Sequence, residues 1–203
     1  PEEQYMWLVC LDLEGVLFPE VWIAVAEKTQ IPDLRLTTRD IEDYDELMRH
    51  RLGILDEHGI TLKDIQAVIE ALEPLPGAAG FLTELRKGRE VILLSDTFEE
   101  YWQAIKAKFS YPTMFCNHLE IDQNGRIAGY QLRQHDGKRK AVRALKEVGY
   151  RVCAVGDSFN DLGMIMEADR GVLFRCPDAI AERHPTLPRF TDHGELLDYL
   201  DSL

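Results

Sequence analysis

Asp12 and Glu14 stand two residues apart, directly after the apolar run Trp7-Leu8-Val9-Cys10-Leu11. A short, bounded run of this kind reads as a strand covered on both faces, so the carboxylates fall where it leaves a sheet. Ionised carboxylates beside a dry core are costly unless a cation pairs with them or a reaction uses them. Two further apolar runs, Val91–Leu94 and Val152–Val155, also end in polar residues. Ser95-Asp96-Thr97 follows the first, and Gly156-Asp157-Ser158-Phe159-Asn160-Asp161 the second. Lys138 precedes the helical segment that leads to Val152. In a parallel sheet these ends lie side by side, and ligands of open α/β sheets bind beyond them. Each pair alone is a weak signal. The ordered set of Asp, Ser, Lys and an acidic GDxxxD is a strong one, and its residue types suit phosphate chemistry with a divalent cation.

The elements that must position this set follow from periodicity. A fourth apolar run, Gly171–Phe174, joins the other three as a strand. Phe81, Leu82 and Leu85 recur at helical spacing before Gly88, and Val142, Leu145 and Lys146 before Gly149, each glycine standing where a helix C-cap is expected. Helices alternating with apolar strands predict an α/β fold, a Rossmann-like parallel sheet core with helices on both faces. Roughly seventy-five residues separate the first strand from the second, far more than a crossover needs. Within them Tyr44, Leu47, Met48, Leu52 and Leu55 mark one buried helix face. Thr61-Leu62-Lys63-Asp64 resembles a capping box ahead of Ile65, Val68, Ile69 and Leu72, and Pro74 and Pro76 close the segment. The expected organisation is a catalytic core at 1–18 and 76–203, with a helical cap at 19–75 inserted after the first strand. Phe115–Ile121 and Ile127–Leu132 around Asn124-Gly125 predict a β-hairpin with an Asn-Gly turn.

Bulk composition narrows the function classes. The 203 residues fit one domain or a core with a modest insertion, and 45% hydrophobic with 29% charged residues is ordinary for a globular chain. A net charge of −13 argues against a nucleic-acid surface and obliges any anionic substrate to find its own cationic site. Cys10, Cys116, Cys153 and Cys176 form no CxxC pair, and Cys10 and Cys153 fall in strands, which predicts core packing in a reducing compartment. No apolar stretch approaches the roughly twenty residues of a membrane span. No signal peptide is visible, a start at Pro1 is compatible with a leader removed before it, and a cytoplasmic location is the expectation. The six histidines are scattered without ligand spacing.

The motif set resembles the haloacid dehalogenase superfamily of phosphotransferases, whose four motifs would fall at Asp12, Ser95, Lys138 and Asp157/Asp161. The segments Asp12-Leu13-Glu14-Gly15-Val16, Tyr44-Asp45-Glu46-Leu47-Met48, Ser95-Asp96-Thr97-Phe98, Gly129-Tyr130-Gln131-Leu132-Arg133 and Gly156–Asp161 further resemble the bifunctional phosphoserine phosphatase/homoserine phosphotransferase family. That resemblance implies transfer of phosphate from phosphoserine to water or to homoserine, in serine and threonine biosynthesis. It implies small-molecule partners, with no nucleic acid and no membrane, and a homodimer as a candidate assembly.

Assigned on this basis, Asp12, the backbone carbonyl of Glu14 and Asp157 would offer oxygens to Mg²⁺, with Asp161 supporting the metal or holding Lys138. Asp12 would be the nucleophile, giving an aspartyl-phosphate, and Glu14 the acid and then the base. Ser95, Asp96, Lys138 and Asn160 would line the phosphate site, with Arg139 and Lys140 as competitors of Lys138. Glu20 could pair with a substrate ammonium and Arg51 with its carboxylate, Arg49 being the substitute on another side of the helix. Glu14 stands where the superfamily usually has Asp. Three other readings share parts of the pattern: a phosphatase for a different small phosphomonoester, a receiver-like phosphoacceptor module, and a domain on this fold without turnover. The long insertion and the downstream Gly156–Asp161 segment speak against a receiver.

Overall fold

Strict alternation along the strands divides the core into two layers, one on each face of a single sheet. The computed structural model describes residues 6–37, 40–41 and 43–203. Residues 1–5, counted above with the core and including Pro1, lie outside the described residues, as do 38, 39 and 42 of the insertion. In β1 (Trp7–Leu11), Val9 and Leu11 join one cluster while Leu8 and Cys10 join the other.

The insertion follows as α1 (Val21–Thr29), a 3₁₀ turn at Pro32–Arg35, α2 (Tyr44–Glu57) and α3 (Leu62–Ala71). Then come α4 (Ala78–Gly88), β2 (Glu90–Phe98), α5 (Glu99–Ile105), β3 (Thr113–Ile121), β4 (Ile127–Gln131) and α6 (Gly137–Glu147). The chain ends through β5 (Arg151–Gly156), α7 (Leu162–Glu167), β6 (Arg170–Phe174), α8 (Asp178–Arg183), β7 (Arg189–Phe190) and α9 (His193–Asp201). The strand order is β4-β3-β2-β1-β5-β6-β7, parallel throughout except for the antiparallel pair β3–β4. Helices α4 and α9 cover the Val9/Leu11 face, and α6, α7 and α8 the Leu8/Cys10 face. This is the expected Rossmann-like α/β class. The four cysteines are buried and unpaired, and no helix among the described residues is long and apolar enough to cross a membrane.

Between β1 and β2, Leu47, Met48 and Leu55 of α2 and Ile65 and Ile69 of α3 are buried, as their spacing predicts. The Thr61 capping box is present: Asp64 Oδ2 accepts from the Thr61 N–H at 2.8 Å, and Thr61 Oγ1 from the Asp64 N–H at 3.4 Å. The chain enters and leaves the insertion at one place, where the Leu75 N–H donates to the Leu17 carbonyl at 2.9 Å.

Several expectations need correction. Gly88 is the last residue of α4 and Arg89, in extended conformation, is its cap, whereas Gly149 adopts φ +100° after α6 as a C-cap glycine should. The hairpin exists, but Asn124 is not left-handed. Asp122 governs the loop: its carbonyl accepts from the Gly125 N–H at 3.0 Å and its Oδ1 from the Asn124 and Arg126 N–H groups, each at 2.8 Å. Gly125 alone takes positive φ, at +78°, in the longer loop type with a bulge. β3 also pairs with β2, so the hairpin extends the main sheet. β2 runs four residues beyond Leu94, through Ser95-Asp96-Thr97, with a register shift against β3 there. The expectations above contained none of α1, α5, α7, α8, β7 and α9.

Candidate active site

Asp12 leaves β1 with its N–H donating to the Val155 carbonyl of β5 at 3.0 Å, so the neighbouring strand fixes its backbone. Its Oδ1 accepts from the Leu13 N–H at 2.8 Å. The next turn is closed by Gly15 N–H to the Phe18 carbonyl at 2.8 Å and by Leu17 and Phe18 N–H groups to the Leu13 carbonyl. Gly15 has φ +83°, and a Cβ there would lie 2.3 Å from Asp157 Oδ2. Only glycine permits both the turn and the close seating of that carboxylate. Gly156 serves Asp161 likewise, since its Cβ would fall 2.4 Å from Asp161 Cβ.

Lys138 arrives from the first turn of α6, 6% exposed. Its ammonium lies 2.7 Å from Asp161 Oδ1, 3.1 Å from Asp12 Oδ1 and 3.3 Å from Asp96 Oδ2. Lys140 and Arg139 are exposed, so Lys138 is the member of the Lys138-Arg139-Lys140 run that reaches the strand ends. Asp161 is fully buried. Its Oδ2 accepts from the Asp157 N–H at 3.0 Å, the Ser158 N–H at 3.1 Å and the Ser158 hydroxyl. Asn160 donates to Asp96 Oδ2 at 2.8 Å, and Ser95 Oγ accepts from the Thr97 N–H at 3.2 Å.

The electrostatics of this group are unbalanced. Burial and then Asp161 push the Asp12 carboxyl well above the usual carboxylate range, against the pull of Lys138. Burial also acts against a charged Lys138, but Asp12, Asp161 and Asp96 outweigh it and hold the ammonium well above its ordinary value. For Asp96 the same burial is outweighed by Lys138 and Asn160, leaving it below the usual range. Asp157 is pushed up to about 7 by burial and by Asp161. Among the described residues, the Lys138 ammonium lies within 3.3 Å of three carboxylates, and Asp157 adds a fourth to the same cluster. Oxygens of Asp12, Asp157 and Asp161 lie within 4.8 Å of one another, a hard-oxygen cluster with excess negative charge that fits a divalent cation. Asp161 already has both oxygens engaged, whereas the contacts of Asp12 fall on Oδ1.

A cavity of about 340 Å³ opens from Asp12, Ser95 and Lys138 toward α1 and α2. Glu14 projects to its wall, with Oε2 accepting from the Val21 N–H at the start of α1 at 3.0 Å. Burial, followed by the neighbouring Glu20, pushes its carboxyl up to about 8. Glu20 is exposed at the rim. Arg51 is 6% exposed, its guanidinium 4.5 Å above the Trp22 ring and its Nη2 donating to the Leu36 carbonyl at 2.7 Å. Its Nε and the Tyr101 hydroxyl are buried without a partner among the described residues. Arg49 is exposed and bonds the Asp45 carbonyl, away from this cavity. All the residues given a site role in the sequence analysis except Asp157 and Asp161 line the cavity, and those two lie behind Gly15 and Lys138, whereas the substitutes Arg49, Arg139 and Lys140 do not line it. Trp22, Tyr44 and Tyr101 line it too and were missed: Tyr44 reads as core on its helix face, and Trp22 and Tyr101 lie in α1 and α5, which the sequence expectations did not contain. A buried carboxyl beside an ammonium, an acidic cluster able to hold a cation and a second carboxyl with a raised pKa together can support phosphoryl transfer.

A family model described as haloacid dehalogenase-like hydrolase matches residues 8–169. "Phosphoserine phosphatase ThrH" of Pseudomonas aeruginosa is 52% identical over 191 residues, covering 94% of this chain and 93% of that protein. A phosphoserine phosphatase of Pseudomonas syringae pv. tomato is 52% identical over 189 residues, covering 93% of this chain and 80% of the relative. Among solved structures, a phospho-aspartyl intermediate analogue of phosphoserine phosphatase matches with a TM-score of 0.78 at 20% identity, covering 97% of this chain and 99% of the other.

Proposed function

The chain belongs to the haloacid dehalogenase-like hydrolases, and on that premise we propose that it is a Mg²⁺-dependent phosphoserine phosphatase that also passes the phosphoryl group to homoserine. The observation that carries the substrate assignment is one cavity whose lining includes Asp12, Glu14 and Lys138 together with buried Arg51 and rim-exposed Glu20. A phosphorylated amino acid has this distribution of charge: a phosphate, a carboxylate for Arg51 and an ammonium for Glu20. The 52% identity to two relatives named phosphoserine phosphatase supports the same reading.

Asp12 attacks phosphorus, and the bond to the serine oxygen breaks. Glu14, whose raised pKa of about 8 keeps it protonated at neutral pH, donates its proton to that oxygen. The deprotonated Glu14 then takes a proton from water or from an acceptor alcohol, which attacks the aspartyl-phosphate and frees Asp12. Lys138 and the Ser95 hydroxyl hold the transferring oxygens, with Asp96 and Asn160 bracing the phosphate loop and Asp161 holding Lys138 in place. Asp12, the Glu14 carbonyl and Asp157 would hold Mg²⁺, which supplies charge neutralisation and orientation of the phosphoryl group. Residues 19–75 act as a helical cap whose closure excludes water. The four buried free thiols support a reducing, cytoplasmic setting.

Release of phosphate from a panel of small phosphate esters, with and without Mg²⁺ and homoserine, tests the reading. Phosphoserine is expected to be the preferred donor, and phosphohomoserine to form only when phosphoserine and homoserine are both present. Equal rates on phosphoserine and on esters lacking the amino and carboxyl groups would overturn the substrate assignment. Absence of phosphohomoserine would remove the transferase half.

A further inference from the structure

His193, the first residue of α9, is 4% exposed and sits between Phe174 and Phe81, with ring centroids 4.6 and 5.2 Å away. Its Nε2 lies 2.8 Å from the Val16 carbonyl oxygen and its Nδ1 3.1 Å from that of Pro76. Val16 is on the chain leaving β1 for the insertion, and Pro76 is on the chain returning to α4. One side chain near the end of the sequence thus touches both crossings, next to the Leu75–Leu17 bond that joins them. Val16 is also the neighbour of Gly15, whose Cα packs against the Asp157 carboxylate with no room for a methyl group.

We propose that His193 is a positioning residue for the phosphate site: through the Val16 carbonyl it holds the Glu14–Gly15 turn in register with Asp157, and beside Pro76 it anchors the root of the inserted helices. The catalytic part of this inference rests on the functional reading above, and the anchoring part does not. A neutral imidazole donates from one nitrogen. Burial among the rings holds His193 below the ordinary histidine range, with Arg175 acting in the same direction and the Val16 and Pro76 carbonyls and Asp192 against it. With its proton on Nε2 the ring donates to the Val16 carbonyl across the shorter of its two contacts. Protonation of Nδ1 adds a bond to Pro76.

His193→Phe keeps an aromatic ring between Phe81 and Phe174 and removes both nitrogens. The amides of Gly15 and Leu75, which donate to Phe18 and Leu17, are expected to exchange with solvent on the order of tenfold faster, with those of β5 unchanged. kcat for phosphoserine and for an aryl phosphate is expected to fall together, on the order of tenfold, because the turn and not the amino-acid contacts is disturbed. His193→Gln, which returns an N–H donor, is expected to recover part of both losses. Wild-type exchange at both amides in the Phe variant, or equal acceleration at Gly15, Leu75 and β5, would overturn the proposal. If the Phe variant does not fold, ¹⁵N shifts of the wild-type ring decide: a protonated Nε2 supports the contact and a bare one overturns it. Exchange and ring shifts need no substrate, so a wild type inert on phosphoserine would fault the functional reading separately.

Discussion

Replacing Asp12 by Asn changes one buried oxygen to nitrogen and removes the proposed nucleophile together with its capacity to ionise. Asp12 is 4% exposed, and burial with Asp161 already disfavours its ionised form. Lys138 keeps Asp161 and Asp96 as partners in the variant. Asp12→Asn is therefore expected to lose on the order of 10³-fold or more in kcat on phosphoserine. The Tm of the metal-free protein is expected to stay level or rise. Near wild-type turnover would remove Asp12 from the nucleophile role, and a collapse in Tm would mean that its carboxylate is structurally required. At this scale the acidic residues, Ser95 and Lys138 were legible because polar residues at apolar strand ends stand out against their surroundings. Arg51 and Glu20 were legible only through resemblance. The aromatic wall of Trp22, Tyr44 and Tyr101 was not, since an apolar ring carries the same pattern signal in a core as beside a ligand.

Helix α3 depends on its first turn for more than its own length. The Thr61–Asp64 box fixes its start, where the Leu62 N–H donates to the Gly125 carbonyl of the β3–β4 loop at 3.0 Å. Thr61→Ala removes the cap and is expected to cost about 1 kcal/mol, lowering Tm by about 2–4 °C for a chain of this size. The Asp64 carboxyl is held below its usual range by its bonds to the Thr61 hydroxyl and N–H. A depressed folded pKa contributes stability above the unfolded value of about 3.9 and loses it as pH falls further. The gap between wild type and Thr61→Ala should accordingly shrink below about pH 4. Thermal melts at pH 7 and pH 3.5 check this, and a constant gap would detach Asp64 from the cap's energetics. The box could be read from sequence because capping is local chemistry. The loop at Asp122–Arg126 could not, because Asp122 and not the Asn-Gly pair organises it. β7, two residues long, carries no period at all and exists through its pairing with β6.

Across the whole molecule the site is a concentration of negative charge in a chain that already carries −13. Glu14 at about 8 and Asp157 at about 7 lie far above the carboxylate range of the unfolded chain, burial being the first cause in both. Between the unfolded and folded values the native state binds more protons than the unfolded state, so stability must fall as pH rises through that interval. From pH 6.5 to 8.5, where the two shifted carboxyls titrate, their contribution to the stability of the metal-free protein should fall by on the order of 2–3 kcal/mol. Its Tm should drop by several degrees. A divalent cation that binds only the folded, ionised cluster opposes this, by about 2.7 kcal/mol when its concentration is a hundred times its Kd. Mg²⁺ is therefore expected to raise Tm strongly at pH 8.5 and weakly at pH 5.5, where protons already occupy the carboxyls. In Asp157→Asn both the pH slope and the Mg²⁺ response should diminish together, because a single group supplies part of each. A metal-free Tm that is flat or rises over this pH range would contradict the charge imbalance. An equal Mg²⁺ effect at both pH values would place the cation elsewhere on the surface.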